Sequence, residues 1–449
     1  MEEEMQEKRY GLITAITMIT GIVIGSGIFF KSDDVLRYTN GNMVLGIVVF
    51  IVAAFAIIFG SLTISTLAAK TDSPGGIIGY VEQFISKKAA SAFGWFQMIL
   101  YFAPIIAVVA WVTGLYLCQL FQIEATPLMS NLVGAVTLLV IFAINALSAA
   151  LGGVIQNAAM LIKLIPLAII AFAGLFFGDS TQIIANDVQS LPHTIQSSSW
   201  IAAFAPIAFS FDGWSVATTI CHEIKNSKRN LPIAMIVAPI AVLLCYLLYF
   251  VGITSLVGVD TVMEQGNESV YTAANQVFGA IGAKLILVFV VISIIGTLNG
   301  LTLAFIQLPY SLAIRNMMPG SKQLTKMSKR FGHMPVYSAL FALALSMIWL
   351  GINYLTQKAE MIGDVSEVPI GLSYVMFILL YVTVIRLGKK GEVKGVFMAY
   401  VVPSLAIVGS LIIVAGTVTH PSFWLYVIVA VVICGLGYYY GGRTIKTAR

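Results

Sequence analysis

Charge is scarce in this chain. Asp, Glu, Lys and Arg make up 10% of its 449 residues, against roughly a quarter in soluble domains. So few charges exclude a soluble globular enzyme and a disordered chain, and there is no blanket of Lys and Arg to hold nucleic acid. Cysteine is equally sparse. Cys118, Cys221, Cys245 and Cys434 are scattered through or beside apolar stretches, and no CxxC pair occurs. That excludes a disulfide scaffold and argues against a metal or redox centre, so buried free thiols are expected. The four histidines, His193, His222, His333 and His420, stand in loops or at helix ends, and no HExxH occurs. The sequence therefore assigns no catalytic residue, metal or cofactor. Hydrophobic residues are plentiful instead, at 59%. They run continuously, unlike the alternating strands of an outer-membrane barrel. One spanning helix takes about 20 apolar residues, which leaves room for on the order of a dozen.

The uncharged stretches locate these spans. The first two are 11–30 and 43–69, and 89–123 is long enough for a tilted third. Segment 125–162 turns once near 145–156, giving a fourth helix and the start of a fifth, which continues past Lys163 to 178. The others are 200–221, 231–259, 284–314, 335–355, 368–385, and two within 395–442 separated at 419–422. The expected fold is an all-α polytopic membrane protein of twelve transmembrane helices. Residues 1–10 form an N-terminal segment, and the first apolar run, with no small-residue cleavage site after it, is a retained helix. Orientation follows from the basic residues of alternate loops. With both termini cytoplasmic, 20 Lys and Arg face inward and 4 outward, with Lys163 left inside a span. The reverse would put the 20 outside. Two further segments, 71–88 and 268–283, are helical without spanning. The first lies along the inner interface, and the second forms an external lid before the eighth helix.

Two spans are interrupted. The first contains Gly21-Ile22-Val23-Ile24-Gly25-Ser26-Gly27-Ile28-Phe29, and each glycine weakens a helix by about 1 kcal/mol relative to Ala. Such a break survives in a membrane only where it is buried in protein or lines a cavity. Close helix packing through small residues is the other reading. The sixth contains Phe209-Ser210-Phe211-Asp212-Gly213-Trp214, with a carboxylate in mid-span, where charge is costly and usually functional. Asp212 also suits the N-cap of a second half-helix. The breaks lie five spans apart, so two five-helix units related in this way have opposite topology, as in many transporters. The units are 11–178 and 200–386, with 395–442 adding two helices and 443–449 a cytoplasmic end. A half-helix N-terminus offers free N–H groups and positive potential, and a C-terminus offers carbonyls, so the pair suits a small zwitterion. Lys163 is the second intramembrane charge. It either snorkels to the interface, replaces a bound cation between helices, or pairs with Asp212. Ser293, Thr297, Asn299 and Thr302 give the eighth helix a polar face, although such hydroxyls often bond back to their own backbone.

These motifs resemble the amino acid, polyamine and organocation transporters, specifically the L-amino acid transporter branch with its bacterial serine/threonine and alanine/serine/cysteine exchangers. The resemblance also rests on Pro74-Gly75-Gly76 with Tyr80, on Glu223-Ile224-Lys225-Asn226-Ser227-Lys228-Arg229-Asn230-Leu231-Pro232, on Lys163 and on Asn299-Gly300. It spans the whole chain and implies a five-plus-five inverted repeat working by alternating access in the cell membrane. It further implies that Val23, Gly25, Ser26 and Gly27 hold the substrate carboxylate through backbone N–H groups. Phe209, Ser210 and Asp212 surround the amine, with Phe209 covering the site, and Tyr246 lines its inner side. Lys163 takes the place of sodium, reaching carbonyls of helix one and the hydroxyls of Ser293 or Thr297. Ser227 departs from the family, which usually has proline there. The loop 122–126 has no cysteine, so no covalently linked accessory subunit is expected. The implied activity is sodium-independent exchange of neutral, small L-amino acids. Proton-coupled symport with Lys163 titrating is the alternative.

Overall fold

The computed structural model describes residues 11–71, 76–147, 159, 162–214, 224–328, 334–359 and 363–446. Its elements are α1 (Leu12–Val23), α2 (Gly27–Tyr38), α3 (Met43–Ala68), α4 (Gly76–Phe84), α5 (Lys87–Leu120), α6 (Pro127–Leu147), α7 (Leu164–Phe177) and α8 (Ser180–Gln196). There follow α9 (Phe204–Ser210), α10 (Ser227–Val257), α11 (Val259–Gln265), α12 (Ser269–Ile314), α13 (Val336–Lys358), α14 (Glu367–Lys389), α15 (Phe397–Val418) and α16 (Phe423–Lys446). The Leu, Ile, Val and Phe runs form helices because hydrocarbon leaves the backbone no other partner for its N–H and C=O groups. This outweighs the lower helix propensity of β-branched residues.

Nine of the described helices are long and apolar enough to cross a membrane, and up to eleven if each of two bent pairs counts as one span. The first pair is α1 and α2, bent by 56°. The second is α7 and α8, bent by 86°. The expected sixth span is present as the short apolar stretch Ser199–Ser210, and the rest of it, 215–221, lies outside the described residues. The turn expected near 145–156 lies mostly outside them too, as do Pro74, Gly75 and Glu223 of the motifs.

Three segments differ from the sequence reading. The first helix does not stop at Phe30. After a kink at Phe30 (φ −124°, ψ 15°) it runs on to Tyr38 and buries Lys31, Ser32, Asp33 and Asp34. Four charges in eight residues end an apolar run, but partners elsewhere in the fold bury them. Segment 179–199, left between the repeats, is mostly helix α8. Asp179 caps its start, and Asp187 Oδ2 accepts from the Met43 and Val44 N–H groups at the start of α3 (2.7 and 3.3 Å). The segment 268–283 is helical as expected, but the kink that parts it from the long span lies at Gly279 and not at its end. Gly279, at φ +67°, separates the two parts with a backbone conformation that glycine adopts at little cost.

The packing has a recurrent pattern. α1 lies against α10, and α9 against α3. α5 lies against α13, and α12 against α6. α7 lies against α10, and α14 against α3. The interrupted helices stand at the centre of this arrangement, with α9 packed on both α2 and α14.

Candidate functional site

α1 ends where Ile24 turns extended (φ −66°, ψ 101°), its N–H still donating to the Thr20 carbonyl at 2.8 Å. The chain resumes helical geometry at Gly27. On the other side α9 stops at Ser210, a turn covers 211–213, and Gly213 takes φ +93°. The two breaks touch. A Cβ on Gly27 would lie 2.7 Å from Ser210 Cα and 3.1 Å from Phe209 Cδ1, so only glycine permits this approach. Tyr246 braces the junction: its hydroxyl donates to the Ser210 carbonyl at 2.8 Å and lies 3.0 Å from the Val23 carbonyl. That corrects the expectation that Tyr246 lines the site. It is completely buried behind both breaks and is absent from the cavity wall.

The breaks open onto a cavity of about 240 Å³. Of the eleven site residues expected from sequence, nine line it: Val23, Gly25, Ser26, Gly27, Phe209, Ser210, Asp212, Lys163 and Thr297. Ile22, Ile105, Val109, Leu301 and Leu303 make the remaining wall largely apolar. The start of α2 presents the first N–H groups of a helix and the positive end of its dipole, and α9 ends in carbonyls on the same space. The Ser26 hydroxyl is buried and has no hydrogen-bond partner among the described residues.

Lys163 is 1% exposed, which rules out the snorkelling reading. Its Nζ donates to the Gly21 carbonyl at 3.2 Å, so the expected reach to helix one is present. The pairing with Asp212 is absent from the described ion pairs. Asp212 Oδ1 instead accepts from the Tyr101 hydroxyl at 2.5 Å. Of the two readings of the eighth-helix hydroxyls, Thr297 follows the bond back to its own backbone. Thr297 Oγ1 donates back to the Ser293 carbonyl (3.1 Å) while its side chain crowds Gly25. Ser293 is buried away from the cavity, its hydroxyl without a hydrogen-bond partner among the described residues. Asn299 accepts from Asn145 Nδ2 at 2.8 Å, joining α12 to α6.

Tyr101 escaped the sequence reading. It sits in the π-helical turn Gln97–Phe102 of α5, and such turns are frequent at functional sites. A single Tyr in an apolar run carries no local signal, because the turn and its carboxylate partner are tertiary features.

Among the described residues, apolar helices long enough to cross a membrane surround a cavity walled by the α1–α2 break and the end of α9, an arrangement found in many transporters. The amino acid permease family profile matches residues 10–440, and the chain belongs to that family. The serine/threonine exchanger SteT of Bacillus subtilis (strain 168) is 28% identical over 100% of this chain and 99% of its own length. The b(0,+)-type amino acid transporter 1 of Homo sapiens is 25% identical over 97% of this chain and 88% of its own. The cystine/glutamate transporter of Homo sapiens is 23% identical over 84% and 75%.

Proposed function

We propose that this permease exchanges small, neutral L-amino acids across the cell membrane by alternating access without sodium. The observation that carries the reading is the meeting of two helix breaks at Gly27 and Ser210 beside a buried Lys163 bonded to the Gly21 carbonyl. N–H groups at Ser26 and Gly27, with the Val23–Gly25 backbone, receive the carboxylate. Carbonyls at Phe209 and Asp212 receive the ammonium, and Phe209 covers it. Lys163 supplies the fixed positive charge that a sodium ion would otherwise bring. Small substrates are favoured by the cavity of about 240 Å³, below the roughly 300–1,000 Å³ common for drug-sized ligands. Neutral side chains are favoured by its apolar wall. The exchangers among its relatives support exchange in place of one-way uptake.

The architecture we infer has twelve spans, both termini cytoplasmic, and an inverted repeat of 11–178 and 200–386. The packing pairs support the repeat, because each turns into the other when helices five places apart are swapped. No covalently linked accessory subunit is required.

Purified protein in liposomes tests the activity. Uptake of labelled serine or alanine is expected only into vesicles preloaded with amino acid, at the same rate in sodium and in choline. Uptake that needs a sodium gradient overturns the sodium-independent part. Net uptake into empty vesicles driven by an imposed pH gradient replaces exchange by proton symport.

A further inference from the structure

Beyond the Phe209 side of the cavity lies a second one, of about 270 Å³, lined by Phe30, Lys31, Asp33, Arg37, Gly266 and Asp364 among others. The two cavities share no lining residue. Three side chains form the partition. The Phe30 and Phe209 rings meet edge to face with centroids 5.2 Å apart, and the Lys31 ammonium stands 5.4 Å from the first and 5.6 Å from the second. Phe209 faces the inner cavity, while Phe30 and Lys31 face the outer one.

Lys31 is only 2% exposed. Its Nζ lies 2.9 Å from Asp364 Oδ2 and 3.3 Å from Asp34 Oδ2, and it donates to Glu367 Oε1. Asp364 precedes α14 and Glu367 opens it, so one ammonium ties the second half of a broken helix to an element more than three hundred residues away. Burial alone pushes the Asp364 carboxyl up. The Lys31 ammonium and Ser366 outweigh it and hold the group below its ordinary value.

Such a cluster is a poor choice for a permanent joint. The cost of desolvating buried charges nearly offsets their attraction, and apolar packing would serve as well or better. The same near-balance suits a joint that must open, because the separated charges recover their hydration. The cation–π contact adds a direct link from the cluster to the ring over the cavity.

We propose that Lys31 is a positioning residue of the transport cycle: by bridging α2 to Asp364 and Glu367 it locks Phe209 over the substrate cavity and closes the cavity's outer side. Access from outside requires this bridge to part. The proposal rests on the reading of that cavity as the amino acid site and of α2 as facing outward.

The test uses the full chain in intact cells, with its four cysteines replaced by alanine and Ala304→Cys placed on the cavity wall. A membrane-impermeant thiol reagent is added outside. Lys31→Met is expected to raise the labelling rate about tenfold or more by shifting the closed–open balance. Lys31→Arg is expected to restore slow labelling, which a merely structural loss would not predict. Glu367→Gln, nearly isosteric, guards against misfolding of the first variant and is expected to give a smaller increase in the same direction. If Glu367→Gln, and Lys31→Met where it folds, label at the parental rate, the lock is overturned. Protection of the introduced thiol by added serine in the parent reports separately on the substrate site. Its absence sinks the site assignment while the change in labelling rate still reports on the lock.

Discussion

At the residue scale the proposed chemistry turns on one of two buried lysine ammonium groups, that of Lys163. Lys163 is enclosed by apolar helices, carries one described bond to a carbonyl of the first break, and has no carboxylate among its described partners. An ionised group placed in this way is costly to the fold, so a purely structural role would favour a neutral side chain of similar shape. Lys163→Met is therefore expected to leave the melting temperature unchanged or higher. Exchange is expected to fall, because the α1–α2 break loses its charged partner. A hydrogen bond to a charged group is worth roughly 1.5–3 kcal/mol, about ten- to a hundred-fold in rate if it is felt in the transition between states. Thermal unfolding and liposome exchange, measured on the same preparation, separate the two effects. An unaltered exchange rate would reduce Lys163 to packing.

The joint between broken elements depends on one missing methyl group. At Gly27 an added Cβ meets the Ser210 backbone at 2.7 Å, a contact that no movement of the Phe209 or Ser210 side chains relieves. Gly27→Ala is expected to cost about 1–3 kcal/mol from overpacking and to abolish amino acid binding by prising the breaks apart. Gly351, inside α13, has nothing within 4 Å of its Cβ position. Gly351→Ala is expected to gain up to about 1 kcal/mol from helix propensity and to leave transport unchanged. Equal effects at both sites would mean that glycine content, and not the junction, matters. The α1–α2 break was legible in sequence because glycines three or four apart contradict a membrane helix, and the end of α9 because a mid-span carboxylate does. Lys163 was legible for the same reason. The continuation of the first helix through Lys31, Asp33, Asp34 and Arg37 was not, because a hydropathy run ends at charge while burial is decided by Asp364 and Glu367 far along the chain. Tyr246 was recognised as belonging to the site but misassigned, since local sequence cannot tell a cavity wall from the brace behind it. Helix α8 was missed because its polar residues match a loop, and its contact with α3 runs through Asp187.

For the whole molecule, the proposed sodium-independent exchange requires that amino acid bind the folded protein on its own, without a co-bound ion. A ligand that binds only the native state stabilises it by RT ln(1 + [L]/Kd), about 2.7 kcal/mol at a hundredfold excess over Kd. In a chain of 449 residues the resulting shift in melting temperature is a few degrees or less, because the entropy of unfolding grows with size. Added serine is thus expected to raise the melting temperature in detergent, saturating with concentration. If Lys163 already fills the place of an alkali ion, replacing sodium by choline at constant ionic strength leaves the curve in position. If sodium were part of the bound complex, the serine-dependent shift would shrink on its removal by the linkage between the two ligands. Gly27→Ala supplies the control, since it disrupts the junction and is expected to abolish the serine shift in either salt. A shift that depends on sodium in the parent would contradict the assignment of Lys163 as a fixed charge, even if exchange itself were observed.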